Sequence, residues 1–246
     1  MKVAVVQDDK LTKVDCAYEL LKNDILNVII PPSTPLRMTW LQEKYNLGAT
    51  PLREALTRLE RDKLVILQPN KGYIVASASI DELMELYTGR KIIKLHLLDE
   101  SMQFGDKYWE SDIVATHYRL SRELSPFDEE CDYNGYISWT KAHDAFDNAL
   151  IAAHRSPWLN RFNLSLTEHI RRQGRVFRLL MPSLEKQSFS SAALKSPALR
   201  SLYALERYTE LKDAVLDRNF DQVKTFVNKH LDLVLSTYKE LYVEDD

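Results

Sequence analysis

The sequence predicts a mostly α-helical protein with two domains, the first ending in a β-hairpin and the second an all-helical bundle. Glycine and proline are scarce, with 6 and 9 copies among 246 residues, which is typical of helix-rich globular chains. Apolar residues recur at the 3.6-residue period of an amphipathic helix over most of the chain. Only residues 64–76 carry the pattern of β-strands joined by a tight turn. We therefore expect one domain over residues 1–78 and another over residues 79–246.

The first two helices are predicted before residue 46. Residues 15–29 place their apolar side chains on one helical face, and Asp15 is a suitable residue to cap the first turn. The prolines in residues 31–35 end this helix because proline lacks an amide hydrogen and disfavours helical geometry in its predecessor. A short helix over residues 39–45 should follow, and residues 46–48 should form a turn.

The third helix is predicted to begin near Thr50. Pro51 then lies in the first turn, where its missing amide hydrogen costs nothing. The inward face of this helix carries Leu52, Ala55, Leu56 and Leu59. Arg53 and Arg58 therefore lie on the other face, in water or against a partner.

A β-hairpin is predicted directly after the third helix. Residues 64–67 and 73–75 favour strands, and a turn at Pro69-Asn70-Lys71-Gly72 joins them. Three helices followed by one hairpin form the winged helix-turn-helix arrangement, in which the last helix enters a DNA major groove and the hairpin contacts the backbone or minor groove. Residues 36–75 hold seven Lys or Arg against four Asp or Glu, and this excess of positive charge suits a polyanion.

The second domain is predicted to be all-helical. Ser79 and Glu82 form a capping-box pattern, which opens a helix running from residue 80 to about residue 104. Further helical stretches are predicted over residues 110–124, 133–154, 157–180, 198–217 and 221–242. The arginines within residues 171–178 are interpreted as a solvated basic face.

Several classes of protein are excluded by composition. The longest apolar runs are far shorter than the ~20 residues of a membrane-spanning helix, and the first ten residues have no apolar signal core. We therefore expect a cytoplasmic chain with no membrane partner. Cys16 and Cys131 are too few for a disulfide framework and too distant in sequence for a metal-binding pair, so we interpret them as ordinary thiols.

Two motifs of the first domain point to a known family. Residues 50–56 read Thr-Pro-Leu-Arg-Glu-Ala-Leu, and residues 71–75 read Lys-Gly-Tyr-Ile-Val. Together they resemble the DNA-binding domain of GntR-type bacterial regulators. The resemblance implies contacts to double-stranded DNA from Arg37, Thr50, Arg53, Arg58, Lys71 and Gly72. Gly48-Ala49 stand where the family commonly has Ser-Arg, so an arginine used on guanine edges is absent.

The helical remainder resembles the effector domain of the FadR subgroup, known as FCD. That resemblance implies a divalent metal, with zinc, nickel or manganese as candidates, held by His143, Asp147 and His230. His143 and Asp147 stand in the reverse order of the family's Asp-x-x-x-His pair, but their i, i+4 spacing keeps both on one helical face. Tyr208 stands where another family histidine would lie.

The same resemblance implies a small carboxylate effector and a homodimer. Arg90 matches a family arginine near the ligand pocket, and a guanidinium there can bind a carboxylate through two hydrogen bonds. Tyr208 is expected to contact the effector too, and in a pocket without metal it would donate a hydrogen bond.

Two alternatives to a ligand-responsive regulator are open at this point. The helical domain could serve dimerisation alone, because the metal set departs from the family pattern. A helical metalloenzyme would use a similar set of ligands. No general base, nucleophile or phosphate-binding loop accompanies that set in the sequence, and the winged helix would have no role in such an enzyme. The sequence therefore favours a regulator over an enzyme.

Overall fold

The computed structural model describes residues 12–126, 131, 133–180 and 197–242, and it is mostly helical, as predicted. Its described residues divide into two compact units. The first unit comprises the described residues up to Ser79 together with Glu168–Leu180, and the second comprises the described residues from Ile80 to Thr167 and from Pro197 onward. The predicted leader before residue 12 lies outside the described residues.

Helix α1 spans Lys13–Leu26 and is capped differently from the prediction. Thr12 is the N-cap, and Asp15 completes a capping box from the third helical position. The helix ends before residue 29 because Val28 adopts a positive φ of 58°, which no helix continues through. The amides of residues 29 and 30 bond back to the carbonyl of Asp24.

Helices α2 and α3 span Met38–Tyr45 and Ala49–Arg61. The turn between them contains Asn46 in the left-handed conformation, with φ of 53°. Gly48 is the N-cap of α3, so Pro51 is the third helical residue and not the first. It still lies in the first turn, where a missing amide hydrogen costs nothing.

The predicted hairpin is confirmed. Strands β1, Val65–Gln68, and β2, Gly72–Val75, pair antiparallel with Val65 opposite Val75. The first unit encloses its own apolar core, formed mainly by buried leucines of α1, α2 and α3 with one residue of each strand.

Two arginines near the end of α7, which spans Pro157–Leu180, are not solvated. Arg172 is only 2% exposed, and its guanidinium donates to the carbonyl of Ala76. Arg175 donates from Nη1 to the carbonyl of Leu26 at 2.7 Å. These turns of α7 pack within the first unit, where carbonyls at the end of α1 and after β2 need donors. The interpretation of a solvated face was therefore wrong for these two residues.

All regular elements in the described part of the second unit are helices. They are α4 Ile80–Phe104, α5 Lys107–Ser121, α6 Tyr133–Leu150, the first part of α7, α8 Pro197–Leu202, α9 Leu205–Leu216 and α10 Phe220–Tyr242. Helix α4 has the predicted bounds. The predicted helix over residues 198–217 is interrupted, because Ala204 adopts an extended conformation and caps α9. Neither proline nor glycine marks this break.

The core of the second unit combines apolar residues of α4, α5, α6, α9 and α10. Within the described residues, no helix has the length and apolar character needed to cross a membrane.

Candidate functional site

The exposed face of α3 carries the polar residues predicted to contact DNA. Thr50, Arg53 and Arg58 are all exposed, while the four predicted inward residues are buried. The guanidinium of Arg53 makes no hydrogen bond or ion pair with any described residue. It is therefore available to a partner that lies along this helix.

Arg58 has a partner within the protein. Its Nη1 lies 2.8 Å from Oδ1 of Asp15, so the pair joins α3 to the first turn of α1. Hydrogen bonds from Thr12 and from Arg58 hold the pKa of Asp15 below its ordinary value. A DNA contact by Arg58 stays a prediction, and it would require this side chain to leave Asp15.

The tip of the hairpin presents Lys71 and Gly72 to solvent. Gly72 has φ of +83°, a conformation that side-chain-bearing residues rarely adopt, and a Cβ there would meet no atom within 4 Å. Backbone geometry, rather than lack of space, therefore calls for glycine at this position. Arg37 is exposed as well, as the extended residue before α2.

All five site residues predicted in the second domain meet at one pocket. Its cavity volume is about 60 Å³, and side chains of α4, α6, α9 and α10 line it. At roughly 10–15 Å³ for one water molecule, this is room for a few waters or for the polar groups of a small ligand. The lining includes Arg90, Lys94, His143, Asp147, Tyr208 and His230.

Asp147 lies between two cations in this pocket. Arg90 donates from Nη2 to Oδ2 of Asp147 at 2.6 Å, and Nζ of Lys94 contacts Oδ1. Nε of Arg90 donates to the hydroxyl of Thr167 at 2.8 Å. Burial would raise the pKa of Asp147, but Lys94 and Arg90 outweigh it and hold that pKa well below its ordinary value.

Lys94 was missed from the sequence. It follows Arg90 by four residues, so both side chains leave the same face of α4, and this spacing was the available signal. Burial lowers the pKa of Lys94, while the contact with Asp147 acts in the opposite direction and favours the ammonium.

His230 and Tyr208 form a neutral part of the lining. Burial, aided by the charges of Lys94 and Arg207, lowers the pKa of His230 to about 3. Nδ1 of His230 is buried and has no hydrogen-bond partner in the described part of the chain. Tyr208 donates its hydroxyl hydrogen to the carbonyl of Leu202 at 2.7 Å. A ligand could accept this hydrogen only if that bond were broken.

The donor set does not fit a metal ion in this arrangement. Both carboxylate oxygens of Asp147 are bound by Arg90 and Lys94, whose positive charges repel a further cation. Among the residues described, no three His, Cys, Asp or Glu side chains are grouped to hold an ion. The metal at His143, Asp147 and His230 stays a prediction, and it requires both cations to leave Asp147.

The chemistry of the pocket favours an anionic ligand. Two cations are held in place against a single carboxylate, and a buried positive excess of this kind attracts negative charge. A ligand carboxylate could replace that of Asp147 at the same donors.

Comparison with known proteins identifies relatives of both parts of the chain. Residues 13–75 match the model described as bacterial regulatory proteins, gntR family. The HTH-type transcriptional repressor GlaR of Escherichia coli (strain K12) is 36% identical over 151 residues, which are 61% of this chain and 66% of GlaR, slightly less than two thirds. The uncharacterized HTH-type transcriptional regulator BphR of Paraburkholderia xenovorans (strain LB400) is 25% identical over 92% of this chain and 85% of its own.

Solved structures share the fold. A putative transcriptional regulator GntR from Rhodococcus sp. RHA1 has a TM-score of 0.63 at 18% identity, over 94% of this chain and 100% of its own. E. coli McbR/YncC has the same TM-score at 15% identity, over 94% of this chain and 99% of its own. GlaR, BphR and the Rhodococcus protein are described as transcriptional regulators, and none of the four proteins is described as an enzyme.

Proposed function

We propose that this chain is a one-component regulator of the GntR family that binds an operator and responds to a small organic acid, because residues 13–75 match the gntR family model and the repressor GlaR is 36% identical over 61% of this chain. In this proposal the winged helix-turn-helix unit binds double-stranded DNA in the cytoplasm. The helical domain is of the FCD type of the FadR subgroup. It binds the effector and joins two chains into a homodimer.

The free guanidinium of Arg53 on the exposed face of α3 supports the DNA-binding part of the proposal. A recognition helix needs such donors to reach base edges in the major groove. Two helices related by a two-fold axis require half-sites matched to their separation, so the operator should be a short pseudo-palindrome.

Gel-shift titrations with the DNA upstream of the gene test this part. The proposal expects tighter binding to that DNA than to a scrambled duplex of the same composition at moderate salt. Equal affinity for both duplexes would leave only non-specific electrostatic attraction.

The buried contact of Asp147 with Arg90 and Lys94 carries the effector part of the proposal. A small carboxylate would bind these two donors in competition with Asp147, which then loses its partners. The effector must also bind one state of the regulator, either the DNA-competent or the DNA-incompetent one, more tightly than the other. Equal affinity for both states would leave the equilibrium between them unchanged.

Thermal-shift screening of a panel of organic acids tests this part. At least one acid should raise the melting temperature of the wild type and change its affinity for operator DNA. Arg90→Ala should remove both responses. A protein whose helical domain only dimerises would respond to no acid, and this outcome would overturn the effector proposal while leaving DNA binding intact.

A further inference from the structure

Tyr73 of β2 connects the hairpin with two other parts of the first unit. Its backbone carbonyl accepts a hydrogen bond from the amide of Leu36 at 2.8 Å, and its hydroxyl oxygen lies 3.4 Å from Oγ1 of Thr57 on α3. The side chain is half-buried and packs against the apolar core of the unit. The Tyr73 hydroxyl is therefore held between the hairpin and the third helix.

Thr57 lies on the stripe of α3 that carries two of the DNA contacts predicted from the sequence. It is exposed, and it follows Thr50 by seven residues and Arg53 by four, a spacing that places the three side chains on one helical face. The contact with Thr57 brings the Tyr73 hydroxyl to the edge of this face. Neither Thr57 nor Tyr73 was among the DNA contacts predicted from the sequence.

The hydrogen of the Tyr73 hydroxyl is only weakly bound within the protein. Thr57 donates its single hydroxyl hydrogen to the carbonyl of Arg53 at 3.1 Å, so Tyr73 is the donor in the contact between the two hydroxyls. Its distance of 3.4 Å is longer than the roughly 2.5–3.0 Å that is usual for such a bond. No other described residue accepts this hydrogen. A stronger acceptor beside Thr57 would therefore take it.

Double-stranded DNA supplies an acceptor at this place. A winged helix-turn-helix unit puts its last helix in the major groove and its hairpin against the backbone or the minor groove. One sugar-phosphate strand separates a major groove from the neighbouring minor groove, so it passes between the helix and the hairpin. Phosphate oxygens are charged acceptors, and tyrosine hydroxyls are among the groups that bind them.

We propose that Tyr73 binds a phosphate of this strand through its hydroxyl, whose hydrogen turns from Thr57 to a phosphate oxygen when DNA is bound. This inference rests on the proposed DNA-binding function and adds a contact residue between α3 and the hairpin. The contact positions the DNA backbone against α3 and carries no base information. Because the hydroxyl is uncharged, it strengthens binding without releasing a counter-ion.

Gel-shift titrations of the full chain with Tyr73→Phe test the proposal. The probes are the DNA upstream of the gene and a scrambled duplex of the same composition. The variant keeps the ring and should bind both duplexes about tenfold more weakly, as expected for the loss of a hydrogen bond to a charged group. The dependence of binding on salt concentration should stay that of the wild type. Unchanged affinity, a loss confined to one duplex, or a reduced salt dependence would overturn the proposal.

Tyr18→Phe is the matched control. Tyr18 is a half-buried tyrosine of α1, and its hydroxyl donates to Oδ2 of Asp62, the C-cap of α3, at 2.6 Å. This bond is short and its acceptor is charged, so the control should lower the melting temperature and leave DNA affinity unchanged. Tyr73→Phe should show the reverse pattern. If Tyr73→Phe lowered the melting temperature as much as Tyr18→Phe, its hydroxyl would stabilise the fold, and the proposal would be overturned.

Upstream DNA with single methylphosphonates locates the contact. A methylphosphonate is uncharged and lacks one acceptor oxygen, so it weakens binding wherever the protein contacts the replaced phosphate. At the phosphate beside Tyr73, the replacement should weaken the wild type more than Tyr73→Phe, because the variant has already lost the hydrogen bond. Equal effects on both proteins at every position would overturn the proposal.

The outcomes separate this inference from the function on which it rests. If the wild type prefers the upstream DNA to the scrambled duplex and Tyr73→Phe binds as the wild type does, operator binding stands and only the Tyr73 contact fails. If the wild type binds neither duplex, both proposals fail.

Discussion

Nη2 of Arg90 on α4 lies 2.6 Å from Oδ2 of Asp147 on α6. The sequence assigned these residues to different partners, Arg90 to a carboxylate effector and Asp147 to a metal ion. In the folded chain each is the partner of the other, and Lys94 completes the group. A ligand or an ion that enters the pocket must therefore exchange with one member of this ion pair.

Removing the charge of Asp147 should destabilise the protein strongly. Asp147→Asn leaves Arg90 and Lys94 buried without their counter-charge, and breaking such a buried pair costs about 3–5 kcal/mol of unfolding free energy. Urea denaturation at neutral pH measures the loss. The matched control is Asp213→Asn, which breaks a more exposed pair with Lys212 and should cost less than about 1 kcal/mol. Similar losses in both variants would show that Asp147 is not a buried charge centre.

Arg53→Ala should weaken specific DNA binding by about 1–3 kcal/mol if this side chain contacts a base edge. Lys71→Ala at the hairpin tip should instead weaken the binding of operator and of scrambled DNA equally, as expected for a phosphate contact. The slope of the logarithm of the binding constant against the logarithm of salt concentration should decrease in magnitude by about one. Gel shifts at several salt concentrations separate these effects. Arg119→Ala, in the helical domain, serves as the control and should leave both affinities unchanged. If Arg53→Ala lowered the affinity for operator and for scrambled DNA equally, Arg53 would not be recognising a base.

Purified protein is expected to hold far less than one metal ion per chain. Lys94 and Arg90 already neutralise Asp147, and a metal would have to displace both of them. Elemental analysis after incubation with zinc, nickel and manganese provides the measurement. Stoichiometric metal that is lost in Asp147→Asn and in His230→Gln would support the metal set predicted from the sequence and contradict this expectation.

Stability should fall on acidification below pH 6.5 in part through His230. Its pKa is about 3 in the folded chain, against an ordinary value of 6.5. Between these values the unfolded chain binds a proton that the folded chain excludes, so the free energy of unfolding rises with pH, by up to about 1.4 kcal/mol per pH unit from this group. His230→Gln should flatten that slope, measured by urea denaturation between pH 4 and pH 7. A slope in His230→Gln equal to that of the wild type would contradict this role of His230.

Arg172→Met should destabilise the first unit although Arg172 belongs to a late helix of the chain. The substitution removes the donors to the carbonyls of Ala76 and Ser77, and an unsatisfied buried acceptor costs about 1–3 kcal/mol. Hydrogen exchange of β2 and of the residues after it should accelerate. Arg161→Met, at an exposed position of the same helix, should have little effect. Unchanged exchange in the Arg172 variant would contradict a structural role for this residue.

The sequence by itself determined the elements of the first unit and the resemblance of that unit to GntR-type regulators. Apolar period, proline positions and turn residues act locally, so α3, the hairpin and α4 could be predicted to within a few residues. The motif at residues 50–56 and the wing at residues 71–75 led to the resemblance to GntR-type regulators, and the gntR family model matches residues 13–75, which contain both. These local signals did not predict the break before Leu205, because Ala204 caps a new helix there and no proline or glycine marks the position.

Only the tertiary structure decided which charged groups are partners. The spacing of His143 and Asp147 in the sequence places both on one helical face. The contact of Asp147 with Lys94 joins residues 53 positions apart, and no local pattern predicts it. The same is true of Arg172, which looked like a surface arginine and is buried against a carbonyl 96 positions away. Charge pairing depends on distance in space and on burial, and helical period specifies neither for residues on different helices.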